Sequence, residues 1–405
     1  MRVVAVDTET VKGNTPWSIQ LADAQMPKGV IYYPDEIENT ETAKGYMGAD
    51  DTTTVLHNAK YDLRVLNQLG IHPAHPICTM QMAYLIGEPA LSLKVLAYRI
   101  AGIEMRTFDE VTAKATQTKA EEYLYDVASR DWPDPEPIIG TSKDGSIKLS
   151  FPKNIKGKVI RMLDKHTFDP SYNLYSKWHT MDIDGGRGQV EAVMGKMERA
   201  YLDEVDRGEA EAYAKLDAEA TLAIYPYLWG RIKELGLEGV LERDMATLPM
   251  VMAMEDNGVL LDVSVLEELS RDLEQLTTDT QADINYIAGH YVNPRSSQQV
   301  VALLQDEGIY TDMETSTDAG VLDQYRNHTI VNKIQDYRAY AKLQSTYTNK
   351  LIGMVGSDGR LHTQYSSTRT ETGRLASSRP NLQNIPVRTE LGRRIRQAFV
   401  SERSK

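Results

Sequence analysis

Cysteine is almost absent from this chain of 405 residues, since Cys78 is the only one. A single thiol can neither close a disulfide within the chain nor build a cysteine-based zinc site, so a reducing compartment is expected. Long apolar runs are also missing, because no stretch of about 18 uninterrupted apolar residues occurs. The segment 1–7 lacks the layout of a signal peptide, because its apolar stretch is short and meets Asp7 at once. We therefore expect a cytoplasmic protein without a membrane partner.

Net positive charge is lacking as well, and the formal net charge is −13. The charge is uneven, because residues 360–405 contain ten Lys/Arg against three Asp/Glu and leave the rest of the chain at −20. A basic C-terminal segment can neutralise phosphates locally, since salt screens exposed charges beyond about 8 Å. A solvated basic tail is the alternative. The length, with 41% hydrophobic and 25% charged residues, is typical of two or three domains.

The first hundred residues have an α/β pattern. Four runs are predicted as strands of one small sheet, and two leucine-rich stretches at three- and four-residue spacing are predicted as helices. The predicted strands are Arg2–Val6, Ser18–Leu21, Val30–Tyr33 and Thr53–Leu56, and the predicted helices are Leu63–Leu69 and Leu91–Ile100.

Regular pattern is weaker in the middle of the chain. Residues from about 106 to 204 are predicted as an insertion with some helix, interrupted by the proline-rich segment 132–137. Helical pattern returns over Met197–Leu228. A long helix with one packed seam is predicted after Asp262, a plausible N-cap. From Gly356 on, turns alternate with short strand-like runs.

Four acids stand out by their positions. Asp7 and Glu9 lie two residues apart at the end of the first predicted strand, so both side chains point to one face of the sheet. Asp62 begins a predicted helix in the segment NAKYD (58–62). Asp217 follows Tyr213 by four residues, which places both side chains on a shared helical face.

Such a set suits phosphodiester hydrolysis with two divalent metals. Oxygen ligands can hold two Mg²⁺ roughly 4 Å apart, and a tyrosine can orient the attacking water. Converging carboxylates would repel one another without cations. Taken singly, each motif has a plainer interpretation as a solvated loop or as helix packing with a surface charge.

The order of these motifs is informative: an acid pair on the first strand, then Asn58, Tyr61 and Asp62, then Tyr213 and Asp217. This succession resembles the three signatures of the DEDDy proofreading exonucleases. The resemblance implies an RNase H-like fold, with the four acids as ligands of two Mg²⁺ or Mn²⁺. It also implies that Tyr213 orients water and that Asn58 contacts substrate. Two departures are Cys78, where the family often has an aspartate, and the long insertion.

The C-terminal block is more specific. Residues 370–388 read TETGRLASSRPNLQNIPVR and residues 392–399 read GRRIRQAF. Together they resemble the long motif of family A DNA polymerases. The segments 254–259, 341–347 and 360–363 match the same family in the same order. Residues 293–299, NPRSSQQ, resemble the thumb-tip motif that touches the duplex backbone.

The chemistry of these residues suits DNA. Planar donors such as Arg374, Gln383 and Asn384 can read minor-groove acceptors that all base pairs share. Basic side chains such as Arg394 suit phosphates, which position DNA without specifying its sequence; single arginines here have a solvent-facing basic helix as the alternative. The resemblance implies that Arg374 contacts the primer-terminal pair. The full set of expected DNA-binding residues is Asn58, Asn293, Ser296, Ser297, Arg338, Lys342, Arg374, Asn381, Gln383, Asn384, Arg388 and Arg393.

The resemblance implies an α/β RNase H-like exonuclease domain, followed by a mostly α thumb and a partial α+β palm. The expected limits are 1–236 for the exonuclease with the insertion at about 106–204, 237–261 for the start of the palm, 262–340 for the thumb and 341–405 for a further palm segment. In family A enzymes the segment ending in Ala-Phe-Val leads into the strand with the first catalytic aspartate. Here Val400 is followed by five more residues.

The expected function is therefore proofreading on primer-template and single-stranded 3′ ends during phage DNA replication, in the cytoplasm of a bacterial host. The phage type follows from the short distance between Met1 and Asp7, which leaves no room for a 5′-nuclease domain. Polymerisation would need the fingers and the rest of the palm, supplied by a second polypeptide or lost by truncation. Two alternatives stay open: a stand-alone trimming exonuclease, and a non-enzymatic primer-template-binding subunit with a silent nuclease.

Overall fold

The computed structural model of the chain describes residues 2–116, 118–119, 200–311, 313 and 315–402, together with the backbone of short strands between residues 138 and 198. The chain divides into two compact units, Met1–Ala246 and Thr247–Lys405. The predicted domain limits at residues 236, 261 and 340 stay predictions. Within the described residues, no helix combines the length and the apolar character that crossing a bilayer requires.

The N-terminal unit is built on a mixed five-stranded sheet in the order β3-β2-β1-β4-β5. The central strand β1 pairs antiparallel with β2 and parallel with β4, and β4 pairs parallel with β5. All four strands predicted from sequence are confirmed, with β1 and β2 longer than predicted. The strands are β1 (Arg2–Val11), β2 (Thr15–Asp23), β3 (Val30–Tyr32), β4 (Thr52–Leu56) and β5 (His75–Cys78).

Helices cover this sheet, and α6 packs against both β1 and β2. Apolar side chains of the sheet and the helices close a core around Val55, Met82, Leu96, Ile224 and Leu228, each fully buried. The helices of the unit are α1 (Ile37–Met47), α2 (Ala59–Gln68), α3 (Thr79–Leu85), α4 (Leu93–Ala101), α5 (residues 108–116) and α6 (Arg207–Glu234).

The start of α6 corrects the prediction of helix from Met197. Met197–Glu198 forms a short strand and Leu202–Glu204 a 3₁₀ turn. The helix begins only after Asp206, whose side chain accepts a hydrogen bond from the backbone N–H of Glu209. This N-cap satisfies one of the unpaired donors of the first turn and fixes the helix start there.

Part of the predicted insertion, 106–204, lies outside the described residues. The helix predicted within it is present as α5. Backbone pairing joins β6 to β7 and β7 to β8, joins β10 to both β9 and β13, and joins β11 to β12. The strands are β6 (Ile138–Thr141), β7 (Ile147–Ser150), β8 (Arg161–Leu163), β9 (Phe168–Asp169), β10 (Leu174–Tyr175), β11 (Met181–Asp182), β12 (Gln189–Val190) and β13 (Met197–Glu198).

The C-terminal unit is mostly helical. The long helix predicted after Asp262 is confirmed as α8, and the Asp262 side chain caps it by accepting from the Ser264 N–H at 3.1 Å. The helices are α7 (Glu238–Asn257), within which the division between the units falls, α8 (Val263–Ala288), α9 (Ser297–Asp306), α10 (Ala319–Leu322), α11 (Thr329–Leu343), α12 (Asn349–Ile352) and α13 (Glu390–Gln397). The strands are β14 (Val259–Leu260), β15 (Arg360–Leu361), β16 (Gln364–Ser366) and β17 (Ala376–Ser378).

Among the described residues of this unit, two apolar clusters lie along α8, one toward each end. Leu266, Leu269 and Leu273 lie in one cluster and Ile284 in the other. Gly258 enters β14 with a φ of +59°, and a Cβ there would lie 2.9 Å from the Leu361 carbonyl oxygen. A side chain would therefore meet both backbone strain and a collision, so glycine is required where β14 joins β15.

Candidate metal centre and basic C-terminal surface

Strand β1 presents two acids on one face of the central sheet. Asp7 and Glu9 alternate with the buried Thr8, so their half-buried carboxyls point the same way. Across the antiparallel pair, Asp7 is opposite Gln20 and Glu9 is opposite Ser18. The acids therefore lie at a fixed register of the sheet rather than on a loop.

Asp62 enters from the first turn of α2. Thr8 donates two hydrogen bonds to its Oδ1, from the backbone N–H at 3.1 Å and from the hydroxyl at 2.8 Å. The other oxygen, Oδ2, is buried and has no hydrogen-bond partner among the described residues. One half of this carboxylate is thus held by β1, and the other half is available to a ligand.

Helix α6 supplies Asp217 and Tyr213, one turn apart. One oxygen each from Asp7, Glu9 and Asp217 lies within 4.8 Å of the others. Asp62 is not part of this group. Tyr213 lowers the pKa of the Asp217 carboxyl, and Oδ1 of Asp217 is buried without a hydrogen-bond partner among the described residues.

The acids of the centre are shielded from water and lie close to one another, and both effects raise pKa values there. Burial, reinforced by the neighbouring carboxylates, raises the pKa of Asp7 well above its ordinary range and that of Glu9 to about 8. Burial raises the pKa of Asp62 to about 8, against the hydrogen bonds from Thr8, and that of Asp217 to about 6. Each shift disfavours the ionised form in the absence of a cation.

These residues fit divalent metal ions. Carboxylate oxygens are the ligands that Mg²⁺ and Mn²⁺ prefer. Two of the buried oxygens, Asp62 Oδ2 and Asp217 Oδ1, lack partners within the described structure, and such atoms are costly unless something binds them. A metal-binding centre explains both the unpaired oxygens and the convergence of three acids.

Asn58, the predicted substrate contact, lies at the N-terminus of α2. It is exposed, has a left-handed φ of 61°, and makes no capping hydrogen bond with its side chain. Beside it, the Ala59 N–H points at the buried Cys78 sulfur, 3.4 Å away. The thiol therefore faces the start of α2 from the position where the resemblance leads one to expect an aspartate.

In the C-terminal unit, several predicted DNA contacts are exposed basic side chains. Arg374, Arg388, Arg393 and Lys342 all reach solvent. Arg394 differs, because it forms ion pairs with two acids of α8, at 2.8 Å to Asp272 and 3.7 Å to Glu268.

Other predicted contacts take part in hydrogen bonds within the unit. The Gln383 side chain donates to the Leu375 carbonyl at 2.6 Å and accepts from the Ser377 N–H at 3.2 Å. The Asn381 side chain accepts from the Gln383 N–H at 3.0 Å. The carbonyl of Asn384 accepts from the Tyr347 hydroxyl. These bonds fix the turn 381–384 and leave the exposed Asn384 amide at its edge.

The predicted thumb-tip residues form a second such turn at the start of α9. Ser296 is the N-cap and accepts from the Gln299 N–H, and the Asn293 side chain accepts from the Arg295 N–H. Ser297 accepts from the Thr317 hydroxyl at 3.1 Å. Arg338 donates to the carbonyls of Pro294 and Thr317, so its guanidinium ties the same turn to α11.

Two sequence families match this chain. Residues 1–125 match the family described as 3′-5′ exonuclease, and residues 263–405 match DNA polymerase family A. The chain contains a 3′-5′ exonuclease domain and part of a family A polymerase domain. The exonuclease match ends before Tyr213 and Asp217, yet the structure brings Asp217 into the acid cluster of β1.

Bacterial polymerases are among the similar proteins. DNA polymerase I of Treponema pallidum is 40% identical over 197 residues, which are 47% of this chain and 20% of that protein. The thermostable DNA polymerase I of Thermus aquaticus is 42% identical over 192 residues, 44% of this chain and 23% of that protein. The alignments thus span about a fifth of the length of these curated relatives.

A solved structure shares the fold. It is the POL domain of Pol1 from M. smegmatis in complex with DNA primer-template and dNTP, which is 21% identical. The superposition covers 98% of this chain and 54% of that one, with a TM-score of 0.65. The predicted fold class, an α/β exonuclease domain followed by a largely helical polymerase region, is confirmed.

Sequence reasoning missed several residues around the acid cluster. Thr8, which lies between the two acids, was not predicted. Its hydroxyl could have been interpreted as a hydrogen-bond donor to a third carboxylate. Lys94 and Phe108 both contact the Tyr213 ring, at 4.9 Å from Nζ to the ring centroid and 6.3 Å between centroids. No local pattern marks these two, because their contact with α6 is tertiary.

Proposed function

We propose that the N-terminal unit removes nucleotides from the 3′ ends of DNA with the help of two divalent metal ions, Mg²⁺ or Mn²⁺. The observation that carries the proposal is the cluster of Asp7, Glu9 and Asp217, whose oxygens lie within 4.8 Å of one another. The match of residues 1–125 to the 3′-5′ exonuclease family supports it independently.

Asp7, Glu9, Asp62 and Asp217 would hold the metals. When bound, the ions supply an activated water and neutralise the charge that develops on the leaving oxygen. The chain itself contributes rigidity, since β1 fixes two of the acids and Thr8 fixes the third. Raised pKa values of all four acids agree with a centre that needs cations to stay ionised.

Tyr213 would orient the attacking water through its hydroxyl. It lies one turn before Asp217 on α6, close enough for the two groups to shift each other's pKa. Burial raises its pKa further above the ordinary value of 10, so the phenol keeps its proton and can donate. A protonated Tyr213 phenol can orient the attacking water through a hydrogen bond. This role fits general acid–base chemistry better than removal of a proton from the water by a phenolate.

The C-terminal unit would hold the primer-template. Arg374, Arg388, Arg393 and Lys342 offer exposed positive charge to phosphates. Gln383 and Asn384 stand on the turn 381–384, where a planar amide can face minor-groove acceptors. The M. smegmatis protein with the same fold was solved with primer-template and dNTP, which agrees with this role.

The decisive experiment incubates the purified chain with a 5′-labelled primer-template and Mg²⁺, with and without dNTPs. Shortening from the 3′ end is expected, and chelation should abolish it. Asp7→Ala removes a ligand at the centre and should lose excision while keeping primer-template binding. Asp35→Asn, an exposed acid of the same unit, serves as the matched control and should excise like the wild type.

Absence of shortening with either metal, while primer-template still binds, would leave the silent-nuclease alternative and reject the exonuclease. Shortening that Asp7→Ala retains would point to a contaminating nuclease. The role in phage replication, and the second polypeptide that would supply the fingers and the rest of the palm, stay predictions.

A further inference from the structure

Lys94 is a cation beside the exonuclease centre that none of the matched motifs requires. It lies in the first turn of α4 and is half-buried. Its Nζ stands 4.9 Å from the centroid of the Tyr213 ring, a distance at which an ammonium and an aromatic face attract each other. Nζ also donates to the backbone carbonyl of Arg106 at 2.6 Å. The side chain is therefore held in place from two directions.

The Tyr213 ring is held by other contacts besides Lys94. Phe108 meets it edge-on, with 6.3 Å between centroids and an interplanar angle of 84°. Val111 and Leu202 continue the apolar contact around the ring. The phenol is thus enclosed by apolar neighbours, and Lys94 contributes the directional, charged contact.

The carbonyl that anchors Lys94 is itself fixed. Arg106 forms an ion pair with Glu209 of α6 and donates to the Glu110 carbonyl at 3.1 Å. Glu209 lies one turn before Tyr213 on the same helix. Through Arg106, the position of Lys94 is tied to the helix that carries Tyr213 and Asp217.

The charge of Lys94 suits this place. It faces Asp7 and Glu9 of β1 and Asp217 of α6, and it lowers the pKa of each against the larger effect of burial. A fixed cation beside three acids offsets part of their repulsion. The positive charge of Lys94 is therefore compensated by the acids that it faces, and it does not incur the cost of an unpaired buried charge.

We infer that Lys94 is a positioning residue for Tyr213, holding the ring face so that the phenol hydroxyl stays beside Asp217 for excision. The inference rests on the proposed exonuclease function and goes beyond it, because it assigns a role to a residue outside the acid and tyrosine motifs. Lys94 acts through the Tyr213 ring and not as a metal ligand.

The test measures kcat and KM for removal of an unpaired 3′ nucleotide by the full chain in Mg²⁺. Lys94→Met keeps the aliphatic length and removes the charge, and kcat is expected to fall about tenfold with little change in KM. Lys94→Arg keeps a cation that can stack on the ring and should recover most of the loss. Lys44→Met, an exposed lysine of α1 in the same unit, is the control and should match the wild type.

A double-mutant cycle with Tyr213→Phe decides whether Lys94 acts through Tyr213. The phenylalanine keeps the ring and removes the hydroxyl, so adding Lys94→Met to it should cost almost nothing more. Thermal midpoints in chelator check that each variant is folded. Should Lys94→Met alone be unfolded, Lys94→Arg and Lys94→Gln complete the comparison.

Three results would overturn the inference: wild-type kcat in Lys94→Met, an equal loss in Lys94→Arg and Lys94→Met, or an undiminished loss in the Tyr213→Phe background. These differ from failure of the proposed function, in which the wild-type chain itself would not excise.

Discussion

Glu9 and Asp217 share one carboxylate cluster, with oxygens no more than 4.8 Å apart, although one lies on the first strand and the other on α6 beyond the long insertion. Burial raises the pKa of both acids, and Lys94 of α4 offsets only part of that effect. The unit therefore brings like charges together and leaves an unfavourable electrostatic energy that a bound cation can remove.

Replacing Asp217 by asparagine should stabilise the metal-free protein. Its pKa is raised to about 6 by burial, so at pH 8 the folded unit bears the cost of an ionised buried acid. Removing that charge is expected to gain about 2 kcal/mol, or a rise of several degrees in the thermal midpoint in chelator. Calorimetry with and without Mg²⁺ measures both states.

The same variant should lose most of the stabilisation that Mg²⁺ gives the wild type, as well as excision. Asp35→Asn, which changes an exposed acid of the same unit, should alter neither. A drop in the metal-free midpoint of Asp217→Asn would contradict the view that this carboxylate is held at a cost.

Local patterns were sufficient for part of the centre. Asp7 and Glu9 could be placed on one face because alternation along a strand depends only on the strand itself. Tyr213 and Asp217 could be placed on one helical face for the same kind of reason. The strands of the sheet, including β1, and helix α8 could be predicted because their apolar residues recur with a strong periodicity.

The remainder depends on tertiary contacts that no single segment encodes. Asp62 lies outside the group of three acids, and Thr8, which holds its Oδ1, belongs to a different element. Lys94 meets Tyr213 only because α4 packs on α6. The start of α6 was predicted too early, since the cap by Asp206 ends the irregular segment before it. Contacts formed in the folded protein, rather than residue types, determine the position of Asp62, the contact of Lys94 and the start of α6.

Thr8→Val should reduce excision while leaving the fold intact. Valine has nearly the same shape, but it cannot make the 2.8 Å hydroxyl bond to Asp62 Oδ1, and only the backbone donor remains. The free energy of unfolding should fall by about 1–2 kcal/mol and the excision rate by about tenfold. Thr10→Val, which removes a hydroxyl bonded to Tyr61 at 2.7 Å, is the matched control. Equal losses in the two variants would mean that the bond to Asp62 has no special role.

His57 should make the protein less stable in mild acid. Burial lowers its pKa to about 4, from the ordinary value of 6.5, and its Nδ1 lies 2.9 Å from the Thr79 hydroxyl. Between these two pH values the unfolded chain binds a proton that the folded chain does not. Stability contributed by neutral His57 is therefore fully present above pH 6.5 and is lost progressively as the pH falls from 6.5 to 4, by on the order of 3 kcal/mol.

Denaturant titrations of the wild type and of His57→Gln between pH 4 and 7.5, in Mg²⁺, check this expectation. The variant should show a flatter dependence on pH in that window, whatever its stability at neutral pH. His72→Gln changes an exposed histidine of the same unit and should keep the wild-type slope. Parallel curves for all three proteins would show that His57 titrates normally in the folded state.

Arg388→Gln should weaken primer-template binding in a salt-dependent way. Its side chain is exposed, and a phosphate contact contributes about 0.9 to the slope of log binding constant against log salt, through release of a condensed counterion. The variant is expected to reduce that slope by about 1 and to weaken binding to all sequences alike. Arg326→Gln, an exposed arginine of the same unit that pairs with Asp323 at 2.9 Å, should keep the wild-type slope. An unchanged slope in Arg388→Gln would remove this residue from the proposed DNA surface and leave the phosphate contacts to Arg374, Arg393 and Lys342.

Arg338→Gln should instead lower the thermal midpoint, because the Arg338 guanidinium donates to the carbonyls of Pro294 and Thr317.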